Sequence, residues 1–213
     1  TLIVGQREPG FLNPNYDTDL MAYYVVNNIL SRLVVVNREF DIVPDLAQSW
    51  TISPDGLRYG FVLPKNVRWH DGKPLTSADV KWSLDSVIKE KGVAASRLAA
   101  IDRITTPDDN TVEIYLNRPN AVLLSALGGY YGVYVLPKHL YDGTEARKNA
   151  YNWKPVGTGP FVFSQWNKGS HVTLKANANY FRGRPRVDTL IFKFADNIPT
   201  VIAAIEAGEM HTS

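Results

Sequence analysis

Val67-Arg68-Trp69-His70-Asp71-Gly72-Lys73-Pro74-Leu75-Thr76-Ser77-Ala78-Asp79-Val80 is the stretch on which the reading of this chain turns, and Pro155-Val156-Gly157-Thr158-Gly159-Pro160-Phe161 is its downstream counterpart. In the first, Asp71-Gly72 is ordinary turn chemistry. Thr76 with Asp79 three residues on is a capping-box variant that opens a helix. The helix carries Val80, Leu84, Val87 and Ile88 as its expected core face, and Gly92 is expected to end it. The second stretch looks superficially like a phosphate loop. Its proline removes a backbone donor where a phosphate cradle needs one, and no helical pattern follows, so a tight connection into a strand is expected.

Outward from these blocks the period of the apolar residues changes repeatedly. Upstream, Ser53-Pro54-Asp55-Gly56 is a turn signal. The strict alternation of Leu57, Tyr59, Phe61 and Leu63 after it predicts a hairpin with residues 48–52. Leu2-Ile3-Val4-Gly5 reads as a first strand. Asp17, Thr18 and Asp19 are N-cap candidates for a helix with Ala22, Val25, Val26, Ile29 and Leu33 inward, and a short strand over 33–36 follows. Downstream come a second hairpin around Pro107-Asp108-Asp109-Asn110 and a short helix stopping at Gly128-Gly129. Three strands then follow the second block, and a last helix over 198–207 is expected to turn Val201, Ile202 and Ile205 inward. The order is mixed α and β without regular βαβ alternation.

Composition narrows the function. The 213 residues suit one large domain or two small ones, and 45% hydrophobic with 21% charged residues is an ordinary globular mix. With 23 basic and 21 acidic side chains the net charge is +2, which argues against a nucleic-acid partner. Arg182-Gly183-Arg184-Pro185-Arg186 reads as a solvated turn between strands. There is no cysteine, hence no disulfide, thiolate nucleophile or Cys-based zinc site. No apolar run reaches the roughly 18 residues of a membrane span, and no signal segment is visible, so an exported protein would be represented here in mature or trimmed form.

Catalytic signatures are scarce. G-x-G-x-x-G, Walker and G-x-S-x-G patterns are absent. His70, His139, His171 and His211 share no metal-ligand spacing, so neither a metal nor another cofactor is expected. His70 reads as a structural histidine bonded to backbone. Ser86-Val87-Ile88-Lys89 matches the S-x-x-K of acyl-serine enzymes, yet it lies late in an amphipathic helix without a K-T-G or S-D-N companion. Five Trp, eleven Tyr and eight Phe stand out. Pairs such as Tyr23-Tyr24 and Tyr130-Tyr131 suit either the wall of a small-molecule cleft or plain core packing.

Three blocks in order, namely Pro44 to Trp50 with the Ser53 turn, the Trp69-His70-Asp71-Gly72 block, and the Gly157-Thr158-Gly159-Pro160 block with Trp166, Gly169, Asn177, Tyr180-Phe181, Gly183 and Pro185, resemble the bacterial extracellular solute-binding proteins of family 5. That family includes dipeptide-, oligopeptide- and nickel-binding proteins of ABC importers. The resemblance implies a mixed α/β fold of the periplasmic-binding-protein type II class: an incomplete lobe I with the inserted α+β domain of the peptide-binding class. It implies lobe I from residues 1–50 and 155–213, the inserted domain from 51–154, and a second ligand-gripping lobe outside this chain. Where the family tends to carry Gly-Glu-x-Asp, this chain has Gly208-Glu209-Met210-His211.

By the same resemblance the ligand-binding candidates are Glu8, Gly10, Phe11, Leu12 and Asn13 after the first strand. Gly129, Tyr130, Tyr131 and Gly132, ahead of Leu136-Pro137-Lys138-His139, form the second group, and Arg97 is a candidate for a ligand carboxylate. The Trp69 and Gly157 blocks are expected to serve architecture. The implied role is capture of a solute, foremost a di- or oligopeptide, between two lobes. Delivery to membrane permease subunits follows, from a monomer in a periplasmic or extracytoplasmic location. A non-peptide solute (oligosaccharide, opine-like conjugate or nickel chelate) is the alternative within the family, and a serine acyl enzyme using Ser86 and Lys89 the alternative outside it.

Overall fold

A computed structural model describes residues 1–195 and 197–212, so the expected lobe boundary at Ser213 lies outside the described residues. The first hairpin joins β4 (Ser49–Ile52) and β5 (Arg58–Val62), with Trp50 opposite Phe61. Gly56 at φ +69° makes the reversal, and its N–H donates to the Ser53 carbonyl at 2.8 Å. The second hairpin, β6 (Ile101–Asp108) and β7 (Thr111–Leu116), adds on through β7 to give an antiparallel sheet ordered β4-β5-β7-β6. Alternation sends Tyr59, Phe61, Val112 and Ile114 to one face, where α2 (Ser77–Lys89) lays Val80, Leu84 and Val87 on them.

Ile88 is exposed, contrary to the expected core face of α2. The helix is buried on two sides by its small residues. Ser83 accepts from Leu136 N–H at 2.8 Å, and Ser86 meets the Tyr16 hydroxyl at 2.5 Å, which rotates Ile88 outward. The end of α2 also differs in detail. Lys91 takes the left-handed conformation at φ +52°, while Gly92 closes a bond to the Val87 carbonyl at 2.8 Å. Gly92 is required for space, because a Cβ there would stand 2.6 Å from the Asn15 carbonyl oxygen.

The other sheet is ordered β1-β10-β9-β8. Its strands are β1 (Leu2–Gln6), β8 (Phe161–Asn167), β9 (His171–Ala176) and β10 (Thr189–Phe194), antiparallel except where β1 runs parallel to β10. Leu190, Phe192, Val172 and Leu174 pack under α1 (Leu20–Val26). Ile3 and Gly5 point oppositely, toward Val201 of α5 (Ile198–Glu206) and Met210. The other two expected core residues of α5 are exposed, Ile202 by 51%, because they overhang the outer edge of β1 rather than the sheet face. The first helix stops short of Leu33. The carbonyls of Asn28 and Ile29 are taken instead by Phe161 N–H and Gly159 N–H, each at 2.9 Å.

The remaining elements join the two sheets. A small hairpin, β2 (Val34–Val36) with β3 (Ile42–Pro44), meets α3 (Leu123–Gly128), and α4 (Lys138–Tyr141) follows. Packing crosses the chain divisions expected at 50 and 154. Leu33, Val34, Leu46 and Ala47 belong to the core of the antiparallel sheet, and Tyr134, Leu136, Tyr141 and Ala146 to the core under α1.

The two signature blocks lock onto each other. Gly157 N–H donates to His70 Nδ1 at 3.2 Å, His70 Nε2 lies 3.0 Å from the Gly159 carbonyl, and His70 N–H donates to the Gly157 carbonyl at 2.8 Å. Only the neutral tautomer with its proton on Nε2 satisfies both ring contacts. Burial lowers the His70 pKa below the ordinary imidazole value of 6.5. A folded-state pKa below the unfolded one means the unfolded chain takes the proton first as pH falls. The stabilisation from neutral His70 is therefore complete above about pH 6.5 and declines below it, until the folded form also protonates. Urea midpoints between pH 8 and 5.5 should fall in the wild type and fall less in His70→Gln. Equal slopes would contradict this assignment.

Candidate functional site

The loop after β1 is anchored on both sides. Glu8 accepts from Trp166 Nε1 at 2.8 Å and from Gly169 N–H at 3.1 Å, tying the loop to the β8–β9 hairpin. Gly10 N–H donates to Asp19 Oδ2 at 2.9 Å, and Phe11 meets the Trp153 ring edge-on at 5.3 Å. Leu12 and Asn13 differ from the expectation of a ligand contact, since both are buried in the protein's own core. Leu12 N–H bonds the Asn152 carbonyl, and Asn13 Nδ2 donates to Asn152 Oδ1 at 2.7 Å. They hold the loop from beneath, and Glu8, Gly10 and Phe11 keep its accessible surface.

The second group forms a tight turn at the end of α3. Gly129 and Gly132 are there for clearance, since Cβ atoms would collide with the carbonyls of Ser125 and Leu127 respectively. Tyr130 stacks on Tyr23 of α1 with centroids 4.7 Å apart and planes 16° from parallel. Tyr131 stands edge-on to both rings. Tyr23 is buried, whereas Tyr130 and Tyr131 remain 47% and 38% exposed. Arg32 Nη1 donates to the Gly129 carbonyl at 2.7 Å and its guanidinium lies over the Tyr134 ring. Arg97, expected to await a ligand carboxylate, donates to the Tyr131 carbonyl and so braces the turn.

Both groups converge on the first turn of α1. Asp19 caps that helix by accepting Met21 N–H at 2.9 Å while also holding Gly10, and Tyr23 four residues on carries the aromatic stack. The Tyr130 phenol is pushed up first by burial, then by Tyr131, Tyr24 and Asp19. Sequence reasoning named Asp19 only as a cap and Tyr24 only as half of an aromatic pair. The cap-plus-aromatic spacing was the available signal for both.

A hollow of about 640 Å³ opens beside β1 between α1 and α5, lined by Leu2, Val4, Met21, Tyr24, Phe192 and Ile202 among others. Gln6 Oε1 is buried there without a partner. Thr212 already pairs on the outer edge of β1 in parallel, with Gly5 N–H donating to its carbonyl at 2.8 Å. The edge is further occupied by His211, whose Nδ1 accepts Ile3 N–H at 3.0 Å and whose N–H donates to the Ile3 carbonyl at 2.9 Å. The lining of the hollow is mainly apolar, with Gln6, Arg7, Asn28 and Asn197 as the polar members.

The acyl-enzyme constellation does not assemble. Ser86 is buried against Tyr16, whose phenol burial pushes up to about 12, while Lys89 is exposed. Among the described residues no cluster of three His, Cys, Asp or Glu side chains could hold a metal ion, and no helix is long and apolar enough to cross a membrane. The Gly157 and Gly159 N–H groups are spent on His70 and Ile29, so that turn offers no phosphate cradle.

A family model described as bacterial extracellular solute-binding proteins, family 5 Middle, matches residues 41–213. A Brucella ovis protein provisionally named as an ABC transporter peptide-binding protein is 41% identical over 177 residues, covering 80% of this chain and 33% of its own length. Two solved structures superpose over nearly the whole chain. The oligopeptide-binding protein AppA of Bacillus subtilis, solved with a nonapeptide, gives a TM-score of 0.92 at 31% identity over 98% of this chain. NikZ of Campylobacter jejuni, solved with Ni(L-His), gives 0.89 at 31% over 99%. This chain spans 42% of each of those structures.

Proposed function

Because the chain belongs to the bacterial extracellular solute-binding proteins of family 5, we propose that it forms one wall of a cleft in the substrate-binding component of an ABC importer, with a di- or oligopeptide as the foremost solute. The observation that carries this reading is the Tyr130–Tyr131 pair, exposed by 47% and 38% although both rings pack on buried Tyr23. A rigid aromatic wall whose backbone is braced by Arg32 and Arg97 costs little to order when a flexible solute lands on it.

Residues 1–50 and 155–213 are read as lobe I and 51–154 as the inserted domain. The opposing wall comes from chain outside these residues, consistent with relatives that extend well beyond the match. Solute bridging the two walls favours the closed form, and the closed form docks on the permease. Only a difference in affinity between open and closed states drives that shift. The protein acts by binding, as an extracytoplasmic monomer without nucleic-acid partners, and performs no catalysis.

Thermal denaturation of the full-length protein against peptides, opine-type conjugates and nickel–histidine chelate tests the solute class, because a ligand that binds only the folded form raises Tm. Peptides should give the largest rise. A rise with opine conjugates or the nickel chelate alone would move the solute to the family's non-peptide branch, and no rise with any class would overturn the reading.

A further inference from the structure

We propose that the corner made by Asp19, Tyr24 and Tyr130 receives a positively charged group of the solute, a protonated amine or a guanidinium. This rests on the solute-binding reading above and narrows it. Tyr130 has one ring face covered by the parallel ring of Tyr23 at 4.7 Å, yet the residue is 47% exposed, so its opposite face is the open one. The open face of a tyrosine carries negative electrostatic potential, and a cation lodged over it is attracted.

Asp19 caps α1 four residues before Tyr23, the ring on which Tyr130 stacks, and so brings a carboxylate to that side of the helix. Its two oxygens accept the N–H groups of Met21 and Gly10, both at 2.9 Å, which fixes the carboxylate while leaving each oxygen a further lone pair. Among the described residues no lysine or arginine forms an ion pair with it. The guanidiniums bound to this turn are committed elsewhere, Arg32 to the Gly129 carbonyl and Asn27, and Arg97 to the Tyr131 carbonyl. Tyr24, exposed by 48%, lies on the same helical turn as Tyr23 and lines the hollow beside β1. A fixed carboxylate beside an open aromatic face selects cations over neutral isosteres and disfavours anions.

Calorimetry on the full-length protein with two peptide pairs tests this. Ala-Lys-Ala against Ala-norleucine-Ala varies a side-chain cation at nearly constant shape. Ala-norleucine-Ala against its N-acetyl form varies the terminal ammonium. At least one cationic member should bind about tenfold more tightly than its neutral partner. Asp19→Asn, which keeps an N-cap acceptor, should abolish most of that preference. Tyr130→Leu should reduce it, and Tyr130→Phe, which keeps the ring face, should retain it. Equal binding within both pairs, or a preference unchanged by Asp19→Asn, would overturn the inference while leaving peptide binding intact. Absence of binding by all three peptides would instead count against the peptide-binding reading itself.

Discussion

Gly157→Ala should lose more than about 3 kcal/mol of stability, or leave no folded protein to measure. A methyl group at that position would be driven into the Ile29 carbonyl oxygen, with the Ile29 carbonyl carbon only 2.6 Å away. Neither side can yield. The Ile29 carbonyl already accepts Gly159 N–H, and Gly157 is held from the other direction by His70 through both its N–H and its carbonyl. Moving the turn would break the His70 hydrogen bonds by which the first signature block grips the second. Gly10→Ala is the control, since a Cβ there meets nothing within 4 Å, and it should change stability by less than about 0.5 kcal/mol. Urea denaturation reads both. A Gly157→Ala loss below about 1 kcal/mol would mean that the turn relaxes freely, contrary to this account.

Asp79→Ala should cost about 3 kcal/mol or more, because one buried carboxylate serves backbone and side-chain donors from three separate parts of the chain. Asp79 accepts Thr76 N–H at 2.9 Å, which is the return half of the capping box, and Lys138 N–H at 2.9 Å at the start of α4. The Trp69 indole N–H approaches the same group at 3.4 Å. Alanine would leave these donors without that acceptor at a largely buried position. Asp79→Asn keeps one acceptor oxygen and turns an amide toward the remaining donors, so its loss should be about half as large. The same denaturation series decides it, and an alanine variant within about 1 kcal/mol of wild type would show that these donors find other partners.

Much of this was legible locally. Turn chemistry at Ser53 and Asp71, alternation through Tyr59 and Phe61, and the Thr76–Asp79 spacing each specify an element within a few residues, and the elements form there. What escaped depends on partners far along the chain. Nothing near Ile88 tells that Ser83 and Ser86 face buried neighbours, and nothing near Lys91 tells that Gly92 is reserved for the Asn15 carbonyl. Periodicity gave Ile202 and Ile205 an inward face, but the sheet ends at β1 and they hang past its edge.

The site divides in the same way. Tyr130 and Tyr131 are exposed, and their neighbourhood to glycines marked them. Leu12, Asn13 and Arg97 turned out to face the protein's own backbone and side chains. Whether a loop residue points to the cleft or to the core is set by Asn152 and by the Tyr131 carbonyl, residues that a local reading cannot pair with it. The same distance hides the role of Asp19, which a cap assignment explains fully until Gly10 is seen bound to its second oxygen.

The claim at the centre of this account is that the aromatic turn is one wall of a two-walled cleft. Titrating the same peptide, Ala-Lys-Ala, into the full-length protein and into the folded 213-residue chain by calorimetry tests it most directly. The account predicts binding by the full-length protein and an affinity at least about a hundredfold lower for the 213-residue chain, since one wall cannot enclose the solute. Equal affinity in both would place the whole binding site on this chain and contradict the two-walled cleft.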